Sequence, residues 1–132
     1  MKKLTREWVR KAEADYRVAV KVGRGAEPLH DAVCFHCQQS AEKYLKGLME
    51  ELGLSVPKTH DLDLLRTALQ PHHPALKPLK RGLTFLTRFA VDIRYPGESA
   101  SKRAAKAALR WAGRVRTVAR GLLGIRERRR RK

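Results

Sequence analysis

The sequence predicts an all-α fold, an up-and-down antiparallel bundle of four to five helices. Three observations carry that expectation. No stretch alternates polar and apolar residues as a strand would. Across Ala32–Met49, residues Ala32, Phe35, Gln38/Gln39, Glu42, Leu45 and Met49 recur at three- and four-residue steps, with no proline and no glycine before Gly47. Near the other end Ala104, Ala108, Trp111, Val115, Val118 and Leu122 repeat at alternating steps of four and three, the spacing of a packing seam. The breaks between these stretches are short, so neighbouring helices should run antiparallel.

A first helix is expected over Leu4–Val22, capped by Thr5, with Leu4, Trp8, Ala12, Tyr16 and Ala19 on its apolar line. Glu7 then falls in the first turn, where the helix dipole favours an acid. The glycines of Gly23–Leu29 supply a turn, and Pro28 suits the start of the next helix. The central helix runs to about Leu52, with Gly53 just beyond its end. Its apolar stripe (Val33, Phe35, Ala41, Leu45, Leu48) lies beside Gln38, Gln39, Glu42, Lys43 and Lys46, so it should pack on a polar partner or line a cleft.

Leu54–Leu65 reads as a loop entering a short third helix, where Thr59 or Asp61 caps and Leu62, Leu65 and Leu69 form the buried edge. Gln70–Pro74 breaks that helix. A fourth is expected over Ala75–Ile93 with Leu76, Leu79, Leu83, Leu86 and Ala90 inward, ending before Pro96 and Gly97. Ser99 or Ser101 would cap a fifth helix to about Leu123. Residues 1–124 thus form one helical domain, and the like charges of 125–132 predict a basic, mobile tail.

At 132 residues the chain is long enough for a single core. It has no apolar run of membrane-spanning length, and its basic N-terminus lacks the apolar centre of a signal peptide, which points to a cytoplasmic protein. Cys34 and Cys37 sit three apart in a helix, poor geometry for a disulfide. With no further cysteine to complete a zinc site, they read as small core residues, and no metal or cofactor is expected.

Charge is the outlier, at +17. Residues 1–76 hold twelve Lys/Arg against ten Asp/Glu, whereas residues 77–132 hold eighteen against three. Such asymmetry points to a polyanionic or acidic partner, or to a solvated basic surface. Arg103, Lys106, Arg110 and Arg114 ride beside the fifth-helix seam and form the candidate nucleic-acid surface. Neither helix-turn-helix spacing nor interleaved aromatics support base reading there. At the end of the fourth helix Arg94 offers a planar five-donor fork suited to phosphate, and Tyr95 offers an aromatic face with a hydroxyl. With Lys46 and His60 they could hold a phosphate or base across the bundle end. Alternatively, Arg94 pairs with Glu42 or Asp61 and Tyr95 is a core tyrosine. Gln38, Gln39 and Glu42 face either that cleft or a dimer seam, and Glu42–Lys46 is a favourable i,i+4 pair.

Four local patterns occur in order: Trp8, Ala12, Asp15-Tyr16 and Ala19; Phe35, then Gln38-Gln39-Ser40-Ala41-Glu42-Lys43, Leu45 and Lys46; His60-Asp61-Leu62 with Leu65; and Arg94-Tyr95-Pro96. Together they resemble the prokaryotic HEPN domain family, in the branch with an Arg-Tyr-Pro motif. The resemblance implies a helical bundle that forms a homodimer and partners a minimal nucleotidyltransferase in toxin–antitoxin-like modules, with nucleotide binding as the proposed role of that branch. Some members of the family are metal-independent ribonucleases with an arginine four to six residues before a histidine. Aligned on Tyr95, that motif puts Arg88 on the arginine and Ile93 on the histidine, and isoleucine cannot transfer a proton. Arg66 with His72 or His73 matches the spacing literally, but across the Pro71 break. The expectation is therefore a non-catalytic nucleotide- or nucleic-acid-binding subunit. The alternatives are a ribonuclease toxin using Arg88 or Arg66 with a histidine such as His72, and a non-specific nucleic-acid coat driven by C-terminal charge.

Overall fold

The computed structural model describes residues 1–127, apart from the side chain of Arg94. Five α-helices form the bundle: α1 (Lys3–Arg24), α2 (His30–Glu51), α3 (Leu62–Leu69), α4 (Lys80–Thr87) and α5 (Lys102–Leu122). No strand occurs among the described residues. Helix α2 is the centre, packed against α1, α5, α3 and α4. Tyr44, Leu45 and Leu48 are wholly buried there, and Leu62, Leu65, Leu69, Leu76, Leu83 and Leu86 close the core from the α3–α4 side. Each such leucine contributes about 1.5–3 kcal/mol relative to exposure.

Local chemistry explains several ends. Asp61 caps α3 by accepting from the N–H groups of Asp63 and Leu64 (3.1 and 3.2 Å), and Ser101 caps α5 by accepting from Ala104 N (3.0 Å). Gly53 follows α2 at φ +74°, a left-handed angle that glycine adopts without strain.

Five expectations are corrected. Thr5 does not cap α1, which begins at Lys3. The threonine is buried and donates instead to Glu51 Oε1 (3.0 Å). Glu7 accordingly lies beyond the first turn, and Leu4 at the helix start is exposed. The fourth helix is not continuous: a 3-10 turn (Pro74–Leu79) precedes α4, and two more (Arg88–Ala90, Asp92–Arg94) follow it. Pro78 lies inside the first of these, where it lacks the N–H that an α-helix would need. The inward residues are nevertheless as expected, with Leu76, Leu79, Leu83, Leu86 and Ala90 all buried. Finally, the α5 seam holds at Ala108 and Val115 but turns by one residue at its other positions. Its buried line is Ala105, Ala108, Ala112, Val115 and Ala119, while Ala104, Trp111, Val118 and Leu122 are only partly covered. The small residues let α5 approach α2 closely, and Trp111 lies flat on Gly82, where any Cβ would run into the indole.

Of the proposed tail, Ile125–Glu127 are described and fold back on α5. Ile125 N donates to Arg120 O (2.9 Å), and Glu127 Oε1 accepts from Arg120 Nε (2.7 Å). Residues 128–132, and with them the expectation of a mobile end, lie outside the described residues.

Candidate functional site

The polar edge of α2 builds a closed network. Gln38 Nε2 donates to Glu42 Oε1 (3.1 Å) and to the His60 carbonyl (3.2 Å), and Gln38 Oε1 accepts from Gln39 Nε2 (2.7 Å). Glu42 Oε1 also lies 2.7 Å from His60 Nδ1, and Glu42 Oε2 accepts from Lys46 Nζ (3.1 Å). The Lys46 ammonium sits 5.9 Å from the centre of the Trp8 ring. Gln38, Glu42 and Lys46 are buried, whereas the His60 side chain is half exposed. Burying charge is tolerable only when it is paired and hydrogen-bonded, and here every group is. Lys46 and His60 thus meet on Glu42.

Arg94 and Tyr95 lie on another element, at and just after the last 3-10 turn. Tyr95 is 61 % exposed, which overturns the alternative of a core tyrosine. The Arg94 side chain lies outside the described residues. Glu42 and Asp61, its suggested internal partners, are occupied by Lys46 and His60 and by the α3 cap respectively.

The same segment borders a cleft of about 430 Å³ lined by Arg88, Asp92, Ile93, Glu98 and Ser101. One wall is fastened by Asp31 Oδ1, which accepts from Ala100 N (2.6 Å). Arg88 is exposed and stacks on Phe85 and Phe89, 5.1 and 5.9 Å from their ring centres. Ile93, partly buried against the core, supplies only hydrocarbon. Arg66 is committed elsewhere: its Nε donates to Asp63 Oδ1 (2.6 Å) and its guanidinium bonds Gln70. His72 is exposed in the following turn, and among the described residues no hydrogen bond joins it to Arg66. The His73 pKa is lowered by partial burial and by the neighbouring His72.

Two further clusters have no counterpart in the sequence reading. Glu13 of α1 takes the Tyr44 hydroxyl (2.6 Å), Arg116 Nε (2.9 Å to each oxygen) and Arg120 (3.0 Å). Burial alone would raise its pKa, but the bonds from Arg116 and Tyr44 and the two arginine charges outweigh that and hold it below the usual value. Burial, and then the bond to Glu13, push the Tyr44 hydroxyl up to about 12. Asp15 likewise binds Lys43 and His36 Nδ1 (2.8 Å). The four-residue spacing of Arg116 and Arg120 was the one available signal. Nothing in sequence paired them with Glu13, more than a hundred residues away. Cys34 and Cys37 are free and buried, and burial pushes the Cys34 thiol up to about 12 and Cys37 higher still, so neither forms a thiolate readily.

Outside, Arg103, Lys106, Arg110 and Arg114 are all exposed along α5, with the Arg114 guanidinium 4.9 Å from the Trp111 ring centre. None of them carries an ion pair to a described residue.

A search of curated proteins gives no match. Two solved structures share the architecture. TT1696 from Thermus thermophilus is 25 % identical, covers 89 % of this chain and 96 % of its own, and superposes with a TM-score of 0.76. ST0689, an archaeal HEPN homologue, is 26 % identical over 93 % of this chain and 99 % of its own, with a TM-score of 0.72. The HEPN domain model matches residues 5–122, the span of all five helices, and the chain therefore belongs to the HEPN domain family.

Proposed function

We propose that this chain is a non-catalytic binding subunit that holds nucleotide or nucleic acid, acting as a homodimer beside a minimal nucleotidyltransferase in a toxin–antitoxin-like pair. The observation that carries the binding role is the outward face of α5. All five of its exposed charged residues are Lys or Arg, and the helix contains no acid. Such a face draws phosphates by charge and gains affinity as bound counterions are released. The exposed Tyr95, next to Arg94 and close to the Arg88 cleft, gives a nucleotide base a place to stack. The non-catalytic reading is supported by Ile93, because the residue set against Arg88 has no proton to give. The nucleotidyltransferase and the homodimer are supported by the resemblance of the four motifs to the Arg-Tyr-Pro branch of the family.

The test measures binding of labelled ATP and of a short single-stranded RNA at low and high salt, with the RNA inspected on a gel afterwards. Salt-resistant ATP binding that disappears in Arg94→Ala supports the nucleotide site, and salt-sensitive RNA binding supports the α5 face. Cleaved RNA, with cleavage lost in Arg88→Ala, overturns the non-catalytic reading.

A further inference from the structure

By sequence the first helix looks electrostatically mixed, since it carries Glu7, Glu13 and Asp15 among its bases. The structure sorts these charges by direction. Glu13 turns inward onto Tyr44, Arg116 and Arg120, and Asp15 turns inward onto His36 and Lys43. Glu7 is partly buried on the flank away from α5, beside Trp8 and Lys43. What remains exposed on α1 is uniform: all seven exposed charged residues are Lys or Arg.

This face lies next to the basic face of α5. The helices pack antiparallel, with Glu13 against Arg116 and Arg120, Tyr16 against Gly113, and Gly23 against Leu109. Shallow depressions run along the pair and share Tyr16 and Leu109 in their floors. Arg17, Lys21 and Arg24 line the α1 side, and Lys102, Lys106 and Arg110 line the α5 side, with one acid near each end, Glu27 beside Lys102 and Lys106 and Glu127 on Arg120. Successive bases on α5 are four residues apart, about 6 Å along the axis, and α1 is about 33 Å long.

We infer that α1 and α5 together form a track for the phosphate backbone of a single-stranded nucleic acid, separate from the Arg88 cleft. Two helices side by side are about 20 Å across, too broad to enter together a major groove that admits one helix, so the pair as a unit does not fit a duplex groove. A strand one nucleotide wide fits between two rows of cations, with Tyr16 at the floor, its ring already stacked by Arg116 (5.2 Å), as an aromatic surface for a base. The inference rests on the nucleic-acid half of the proposed function and adds the α1 wall, which the charge count of residues 1–76 concealed.

The experiment titrates a fluorescent oligouridylate over a range of salt against the wild type and three Gln-substituted variants. These are an α1 triple (Arg17→Gln, Lys21→Gln, Arg24→Gln), an α5 double (Lys106→Gln, Arg110→Gln) and a remote triple (Lys58→Gln, Lys77→Gln, Lys80→Gln). Thermal melts confirm that each is folded. Loss of three phosphate contacts should reduce the salt slope by about 2. The expected result is that slope change in the α1 triple, with at least tenfold weaker binding at low salt, a similar loss in the α5 double, and near-wild-type binding in the remote triple. If the α1 triple binds like the wild type while the α5 double is impaired, the track is wrong and the broader binding function survives. No strand binding by the wild type ends both the track and the nucleic-acid half of the proposed function. Equal losses in all three variants reduce the surface to net charge, and equally tight binding of a duplex or of polyglutamate refutes a single-strand track.

Discussion

Helices α1 and α5 carry charge on both their inner and their outer faces, and the two faces do opposite things. Inward, Glu13 with Arg116 and Arg120 and Asp15 with Lys43 are matched pair by pair, as Glu42 is with Lys46 within α2. Outward, the exposed charges of both helices are all cations, and the nearby acids lie off the two helices, Glu127 on Arg120 and Glu27 in the turn after α1. A matched charge in the interior fixes how helices sit against one another, and it presents little field to solution. An unmatched row on the surface does little for folding and dominates what the molecule attracts. Net charge alone does not distinguish these roles, because direction decides them.

The sharpest way to break the comparison is at Glu42. Glu42→Ala leaves Lys46 buried without a counter-charge, and we expect a loss of about 3–5 kcal/mol, read as a fall in denaturant midpoint. A loss below about 1 kcal/mol would show the α2 network to be free to serve a ligand. Next is Glu13→Gln, which keeps the shape and removes the charge that Arg116 and Arg120 face. About 1–3 kcal/mol should be lost at neutral pH. The pH dependence has a definite sign. Because the Glu13 pKa is depressed in the folded state, its contribution is present above its ordinary value of 4.5 and fades as pH falls through the lowered one. Wild type and variant should therefore converge in stability on acidification, and a gap that stayed constant with pH would remove the charge explanation. The smallest effect is outward. Arg17→Gln and Arg110→Gln should each change stability by less than about 0.5 kcal/mol, checked by thermal melting. A larger loss at either position would mean that the outer face is structural after all.

Much of this was legible beforehand where the cause is local. Asp61 and Ser101 cap because a short oxygen side chain at a helix start meets free N–H groups, and Gly53 ends α2 because glycine tolerates positive φ. The leucine spacing of the α3–α4 region marked its buried face, even though 3-10 turns interrupt the helix. Thr5 failed as a cap because Glu51, far along the chain, bonds its hydroxyl. The α5 seam was right at Ala108 and Val115 and missed Ala105, Ala112 and Ala119 for a similar reason: alanines score as weak hydrophobes in sequence, yet they are what permits close approach to α2. Among the site residues, the i,i+4 pair Glu42–Lys46 and the exposed cations of α5 could be read directly. That Lys46 and His60 would converge on Glu42 could not.

From the sequence alone came the helical class, the order of the five segments, the HEPN motifs and the excess of positive charge, because periodicity, capping and composition depend on neighbours a few residues apart. Tertiary structure alone decided which charges cancel. The energy of an ion pair depends on distance and burial, and Glu13 meets Arg116 and Arg120 only once α1 and α5 lie side by side. That same packing turns the remaining bases of α1 outward and sets them beside those of α5.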